Sequence, residues 1–206
     1  MRETSLRDEL VVAATRLLDD GGPDSVTLRE VGRVAGVSQT APYRHFANKA
    51  DLLATVAARE LDRLVAAVED LVAHRRGPTE MLSTALLHYL DWTRKRPERF
   101  RLVFGHWPRE NDDLRSAAAR ATESMVVLVE GAQGAGALPP GDPWRIGAAI
   151  RAFVHGVAIL EQNGHLLGRD RLPMDGEDLV ESFLAGSAYG AFRCSPHDGE
   201  HPRAQR

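Results

Sequence analysis

The chain has 206 residues, a net charge of −3 and 43% apolar residues, which is typical of a globular protein of one or two domains. No apolar run approaches the roughly 20 residues that a membrane-spanning helix requires, and the charged start, MRETSLRDEL, lacks the apolar stretch of a signal peptide. The single cysteine, Cys194, excludes an internal disulfide framework and a cysteine-based zinc site, so we expect a cytoplasmic protein without disulfides.

The N-terminal part of the chain predicts two helices. Apolar residues fall at helical spacing from Leu6 to Leu18, and a cluster of helix-breaking residues follows at 19–23. A second, short helix starts near Thr27. Thr27 and Glu30 have the spacing of a capping box, in which the hydroxyl and the carboxylate both accept from backbone N–H groups.

Two more helices are predicted next, one very short and one long. Gly36 breaks the chain, and Ser38 is placed to cap a third helix that ends at about Arg44. Asn48 caps the fourth helix, in which apolar residues recur at helical spacing as far as Leu71.

The remainder of the chain predicts five further helices, which prolines separate. Their approximate ranges are 79–96, 98–105, 110–131, 143–165 and 176–193. No segment alternates apolar and polar residues over the length of a strand, so we expect an all-α fold of about nine helices. The polar residues 195–206 predict a disordered tail.

Residues 27–46 have the plan of a helix-turn-helix DNA-binding motif, in which a tight turn joins two helices that pack together. Gly36 permits the turn. Between residues 26 and 49, four basic residues stand against a single acid. This segment can therefore bind a phosphate backbone although the whole chain is acidic.

The same block resembles the N-terminal DNA-binding domain of the TetR family of bacterial regulators, over about residues 4–64. The resemblance rests on TLREV at 27–31, AGVS at 35–38, the Tyr-x-His-Phe pattern at 43–46 and the Asn-Lys-x-Asp-Leu-Leu pattern at 48–53. It implies three N-terminal helices for DNA and a larger helical domain, residues 65–194, for ligand binding and dimerisation.

Eleven residues of this block are predicted to contact DNA. They are Thr27, Arg29, Ser38, Gln39, Thr40, Ala41, Pro42, Tyr43, Arg44, His45 and Lys49. The polar side chains at 38–40 are suited to base edges in the major groove. The aromatic and basic side chains at 43–49 are suited to phosphates. Pro42 departs from the residues usual in the family, so base contacts beyond 38–40 stay open.

The C-terminal half resembles a TetR subgroup whose ligand domain carries a Trp-His-Gly signature. The matching segments are RPERFRLVFG at 96–105 and FVHGVA at 153–158. The sequence departs from the signature at Phe153, because a tryptophan near His155 is usual. The subgroup has no single effector, so the resemblance leaves the ligand unnamed.

The family resemblance implies a homodimer in which the last two helices of each subunit form a four-helix interface. In the last helix, small and apolar residues predict a surface that another helix can approach closely. The predicted interface residues are Leu179, Phe183, Ala185, Gly186, Ala188, Tyr189 and Phe192. A two-fold dimer would read a pseudo-palindrome with half-sites about 34–36 Å apart, or a multiple of that distance.

Aromatic, methionine and histidine side chains of the C-terminal half are candidates for a ligand pocket, and they predict a small, largely apolar ligand. The candidates are Tyr89, Trp92, Phe104, His106, Trp107, Met125, Phe153 and His155. The alternative for each is that it packs in the core, and for His155 that it is a structural histidine. No two candidate histidines have i, i+4 spacing, so we expect no metal site.

These observations predict a DNA-binding transcriptional regulator, most specifically a homodimeric repressor that a ligand releases from its operator. One alternative is a regulator that has no small-molecule effector or acts as an activator. Another is an enzyme acting on a small hydrophobic molecule. Because the sequence shows no nucleophile–base pair and no cofactor motif, we expect no enzymatic activity, no cofactor and no membrane partner.

Overall fold

The computed structural model describes residues 5–74, 77–105, 107, 111–168 and 171–188. Within these ranges the fold is entirely helical, with eight α-helices and one 3-10 helix, which confirms the predicted fold class. The β contact found there is an isolated antiparallel bridge between Leu167 and Pro173. No described helix is long and apolar enough to cross a membrane. The predicted tail, 195–206, lies outside the described residues.

Proline marks the start of three helices. In chain order the helices are α1 (Leu6–Ser25), α2 (Leu28–Val34), the 3-10 helix (Ala41–Arg44), α3 (Lys49–Ala73), α4 (Pro78–Lys95), α5 (Pro97–Val103), α6 (Asp112–Gly134), α7 (Pro143–Gln162) and α8 (Gly176–Ala188). Pro78, Pro97 and Pro143 occupy first helical positions, where the missing N–H removes no intrahelical bond.

The first helix has a sharply defined start and a break near its end. Ser5 and Asp8 form a complete capping box, in which each side chain accepts from the other residue's backbone N–H. Gly21 and Gly22 have non-helical backbone angles, and a final turn reaches Ser25. The predicted break at 19–23 is therefore confirmed.

The buried side chains form one core that continues from the N-terminal helices into the C-terminal half. Phe46, at the end of the helix-turn-helix, is 1% exposed and belongs to this core. α3 packs on α1, α4, α5 and α6, most extensively on α6. The predicted domain boundary at 64–65 falls inside α3, so the two predicted domains share this helix.

A chain of ion pairs joins α1, α3 and α5. Glu60 of α3 is 1% exposed and accepts hydrogen bonds from Arg63 and, at 3.1 Å, from Nη1 of Arg99 in α5. Arg99 also donates to both carboxylate oxygens of Asp19 in α1, at 2.8 and 2.6 Å. We call Asp19, Glu60 and Arg99 the Arg99 bridge. It connects the helix that packs behind the helix-turn-helix to the C-terminal half.

Candidate DNA interface and ligand cavity

A tight turn brings the 3-10 helix directly onto α2. Gly36 has φ of +72°, which favours glycine, and the Val37 N–H donates to the Gly32 carbonyl at 3.0 Å. A Cβ on Gly32 would lie 3.1 Å from the Ser38 carbonyl oxygen and 3.2 Å from Cγ of Pro42. Glycine at position 32 therefore permits this close packing. The sequence pattern did not single out Gly32, although a glycine inside a short helix is a usable signal.

The recognition element is shorter and begins later than predicted. It is the 3-10 helix Ala41–Arg44, and Ser38 does not cap it: the Ser38 hydroxyl lies 3.2 Å from the Thr40 hydroxyl instead. The physical reason is Pro42. In an α-helix capped by Ser38, residue 42 would donate the first intrahelical bond to the Ser38 carbonyl, and proline has no N–H. Ala41 donates to that carbonyl instead, at 3.0 Å.

Most of the predicted DNA-contacting residues lie on an exposed surface. The exposed ones are Thr27, Arg29, Ser38, Gln39, Thr40, Tyr43, Arg44 and His45. The Tyr43 residue is 60% exposed, so its ring and hydroxyl are accessible to a partner. Ala41 and Lys49 are half-buried. Pro42 is buried and its ring packs on α2, so its side chain offers little surface to DNA.

The predicted capping box at the start of α2 is only half formed. The Glu30 N–H donates to the Thr27 hydroxyl at 3.1 Å, as the box requires. The Glu30 carboxylate, however, accepts from Arg33 at 2.5 to 3.0 Å, and this bond holds the pKa of Glu30 below its usual range. Arg33 is thus paired within its own helix.

We call residues 38–45 the recognition turn. Within the part of the chain that the structure describes, three cations around it have no carboxylate partner: Arg29, Arg44 and Lys49. Lys49 is the first residue of α3, whose predicted cap is confirmed, since Oδ1 of Asn48 accepts from the Asp51 N–H at 3.0 Å. Cations that are not neutralised by the protein are available to phosphates.

A cavity of about 470 Å³ lies between α3, α4, α6 and α7, with the end of α5 in its wall. This volume is within the range of small-molecule sites. Four of the predicted ligand residues line it: Tyr89, Phe104, Trp107 and Met125. Nε1 of Trp107 is buried and has no acceptor among the described residues. A buried N–H of this kind is a donor that a bound ligand can satisfy.

Two other predicted ligand residues lie away from this cavity. Trp92 is 6% exposed, and its Nε1 donates to the buried Glu60 at 3.5 Å. Phe153 stacks on Phe183 of α8, with ring centroids 4.1 Å apart and an interplanar angle of 14°. His106 lies outside the described residues. In the described part of the chain, no group of three His, Cys, Asp or Glu residues is placed to hold a metal.

His155 lies behind the wall and holds a wall residue in place. Its Nδ1 is 3.0 Å from the Tyr89 hydroxyl, and its ring packs on Phe104 and Phe100, with centroids 4.7 and 5.1 Å away. Burial, and secondarily the charge of Arg151, lower the pKa of His155, while burial raises the pKa of Tyr89. Both groups are therefore neutral near pH 7.

The last two helices, α7 and α8, bury part of their apolar surface within the chain and leave part of it exposed to solvent. On α7, Trp144, Ile159 and Leu160 are 53%, 39% and 44% exposed. On α8, Leu179 and Phe183 are half-buried against the chain's own core.

The other predicted interface residues lie at or beyond the end of α8. Ala185 is exposed, Gly186 is half-buried, and Ala188 is the last residue of the helix. Tyr189 and Phe192 lie outside the described residues.

The chain matches two family models. Residues 10–56 match the family described as "Bacterial regulatory proteins, tetR family", and residues 82–186 match "Tetracyclin repressor-like, C-terminal domain". The first match contains the helix-turn-helix, and the second contains most of the cavity wall. The α3 part of the cavity wall, from Leu61 to Leu71, lies between the two matches.

Individual proteins are also similar to this chain in sequence or in structure. The "HTH-type transcriptional activator FasR" of Mycolicibacterium smegmatis is 29% identical over 106 residues, which are 52% of this chain and 46% of that protein. A protein of unknown function from Rhodococcus sp. RHA1 has a similar structure, with a TM-score of 0.77 and 30% identity over 92% of this chain and 96% of that one. Thermus thermophilus FadR, a TetR family repressor solved with lauroyl-CoA, shares the fold, with a TM-score of 0.62 and 18% identity over 94% of this chain and all of that one.

Proposed function

This chain belongs to the TetR family of bacterial transcriptional regulators, and we propose that it is a homodimeric repressor which a small, largely apolar ligand releases from a pseudo-palindromic operator. One observation carries the proposal: α3 starts at Lys49, beside the recognition turn, and continues into the cavity wall at Leu61, Leu64 and Val65. A rigid helix shared by a DNA surface and a ligand cavity can transmit occupancy of one to the other.

The proposed DNA surface divides into base readers and backbone contacts. Ser38, Gln39 and Thr40 are exposed and carry no charge, so they are suited to base edges. Tyr43, Arg44 and His45, with Thr27, Arg29 and Lys49 around them, are suited to phosphates. We assign residues 4–64 to this DNA-binding domain and 65–194 to the ligand and dimer domain.

We also assign the C-terminal domain to the subgroup with a Trp-His-Gly signature. His155 supports this assignment, because the histidine of the signature forms a hydrogen bond with Tyr89, which lines the cavity. Phe153 replaces the usual tryptophan, and its aromatic ring keeps a packing partner in Phe183.

The proposed dimer uses α7 and α8. The exposed Ile159 and Leu160 on α7 and the small residues Ala185 and Gly186 on α8 support it, because apolar surface next to small side chains lets helices of a second subunit approach closely. A two-fold axis there would present two recognition turns to two half-sites of one operator.

The proposed ligand is apolar over most of its length. The FadR structure was solved with lauroyl-CoA, which carries a long acyl chain. The wall of the cavity in this chain, made largely of Leu, Val, Ala and aromatic side chains, is compatible with such a chain. Ligand binding that changes the separation of the two recognition turns by a few ångströms would release DNA. A tenfold to hundredfold loss of affinity corresponds to a coupling free energy of about 1.4–2.7 kcal/mol.

The first test is selection of genomic fragments by the purified protein at physiological salt, followed by sequencing. Recovery of a pseudo-palindrome is expected. Recovery of no preferred sequence contradicts the proposal. Transcription reconstituted from the promoter beside the recovered site then separates repression from activation. Activation is the second candidate function, because FasR, with which this chain shares 29% identity over 106 residues, is named an activator.

A further inference from the structure

The charges in the cavity wall have one sign. Among the described residues that line the cavity, there is no aspartate and no glutamate, whereas Arg115 and Arg151 both line it. The other lining residues are apolar or carry neutral polar groups, apart from His88. An apolar space whose fixed charges are all positive discriminates between ligands by the sign of their charge.

Of the two arginines that line the cavity, Arg151 is the one without a carboxylate partner among the described residues. Its Nη1 donates to the Thr122 hydroxyl at 2.8 Å, and no carboxylate in the described ranges comes within salt-bridge distance of its guanidinium. Arg115, by contrast, pairs with Asp112. Most neighbouring arginines of the C-terminal half are also paired with carboxylates, including Arg94, Arg99, Arg101, Arg120 and Arg145.

The groups nearest to Arg151 do not supply a negative charge. Arg151 acts electrostatically on Tyr89 and His155, and it lowers the pKa of both. The Tyr89 phenol nevertheless stays protonated, because burial raises its pKa by more, and the imidazole of His155 stays neutral. Arg151, Thr122 and Tyr89 thus place one cation and two hydroxyl groups at the cavity, without an anion.

We propose that the cavity binds an anionic amphiphile, a molecule with an apolar body and one acidic head group such as a carboxylate, and that Arg151 pairs with the head group. The proposal rests on the ligand-released function and specifies its ligand class. The planar guanidinium matches a carboxylate with two parallel N–H···O bonds. A lipophilic cation of the same size would meet Arg151 with like charge and is excluded.

Isothermal titration calorimetry with three probes that share a dodecyl chain tests the head group alone. The probes are dodecanoate, dodecanol and dodecyltrimethylammonium, each below its micelle concentration and without DNA. We expect dodecanoate to bind at least about tenfold more tightly than dodecanol, and the ammonium compound to bind most weakly. Equal affinities for the three probes would overturn the proposal.

Variants on α7 separate the role of Arg151 from general surface charge. In Arg151→Gln the preference for dodecanoate over dodecanol is expected to disappear. Arg151→Lys keeps the positive charge but loses the planar guanidinium that can form two parallel bonds to a carboxylate, so we expect it to retain only part of the preference. Arg145→Gln is the control, because Arg145 lies on the same helix, pairs with Asp142 and does not line the cavity. Retention of the full preference in Arg151→Gln would refute the assignment.

The outcomes distinguish this proposal from the function on which it rests. If dodecanol binds as tightly as dodecanoate, the head-group proposal fails and a regulator with an apolar ligand stands. If none of the probes binds, the proposal also fails, and the genomic selection decides the function independently. Thermal unfolding checks that Arg151→Gln is folded, which is expected since Arg151 is exposed and its described hydrogen bond is to Thr122.

Discussion

At the scale of single residues, the position of the recognition turn depends on the missing side chain at Gly32. We expect Gly32→Ala to push the turn away from α2, because the new Cβ meets backbone at 3.1 Å from the Ser38 carbonyl oxygen. Overpacking of this kind destabilises by about 1–3 kcal/mol. Urea unfolding and operator binding by fluorescence anisotropy should both show the loss. Gly134→Ala is the control, since nothing lies within 4 Å of its Cβ, and unchanged binding in Gly32→Ala would contradict the prediction.

The proposed division between base readers and phosphate contacts predicts two different mutant phenotypes. Gln39→Ala should relax the base preference at one operator position, with a loss of about 1–3 kcal/mol for the preferred base. Lys49→Ala should weaken binding to all sequences alike and reduce the salt slope by about 1. Binding to a panel of operator variants at several salt concentrations measures both. The same phenotype in the two variants would refute the division.

His155 makes the stability of the folded chain depend on pH, and the surroundings of its imidazole determine whether stability rises or falls with pH. Its pKa is lowered by burial and Arg151, so the unfolded chain binds the proton more readily than the folded one. The stability that the neutral imidazole contributes is present above about pH 6.5, the ordinary pKa of histidine, and is lost as the pH falls through the lower folded value. Urea unfolding at pH 7 and pH 5 should show a smaller loss in His155→Gln than in the native chain. An equal loss in both would argue against this role.

At the scale of helices, the Arg99 bridge predicts an asymmetry between two arginines of α5. Arg99→Gln leaves the buried Glu60 with Arg63 as its remaining cation and removes the partner of Asp19. Because Arg63 still pairs with Glu60, we expect a loss below the about 3–5 kcal/mol of a buried charge left without any partner, but above that of an exposed pair. Arg101→Gln removes an exposed pair with Glu98, where about 0–1 kcal/mol is expected. Chemical unfolding of both variants measures the difference, and similar losses would show that the bridge contributes little.

Helix positions could be predicted from the sequence because the signals are local. The break at 19–23 and the Asn48 cap each depend on a few neighbouring residues, and both are present as predicted. The third helix was predicted to start too early, because Ser38 satisfies the capping pattern while Pro42, four residues later, removes the bond that the pattern needs. At α2, Arg33 competes with the capping box for Glu30, which spacing alone does not show.

The cavity wall was harder to predict than the helices. Helical spacing shows that Trp92, Phe104 and Phe153 face inward, but it does not show which neighbouring helix each meets. Trp92 meets Glu60 on α3 and Phe153 meets Phe183 on α8, whereas Phe104 reaches the cavity. Arg151 carried no sequence signal, because its role depends on which side chains the other helices bring near it, and among the described residues none of these is a carboxylate.

At the scale of the whole molecule, the proposed dimer predicts that a charge on α7 separates the subunits. Ile159→Lys places an ammonium where the proposed interface is apolar, so we expect a monomer in analytical ultracentrifugation and binding to half-sites only. Val127→Lys is the control, because Val127 on α6 is 52% exposed and lies outside the proposed interface. A dimeric Ile159→Lys protein would require a different interface.

The Arg99 bridge also limits how freely the N-terminal part of this regulator can be exchanged. A chimera that joins α3 to α8 of this chain to the first helices of another regulator keeps Arg99 and Glu60 but replaces Asp19. Unless the transplanted helix carries a carboxylate at the equivalent position, Arg99 loses the partner to which it donates two of its hydrogen bonds. Compatibility of parts in such a hybrid thus depends on one acidic residue at the junction, and grafting an aspartate there is the first repair to make.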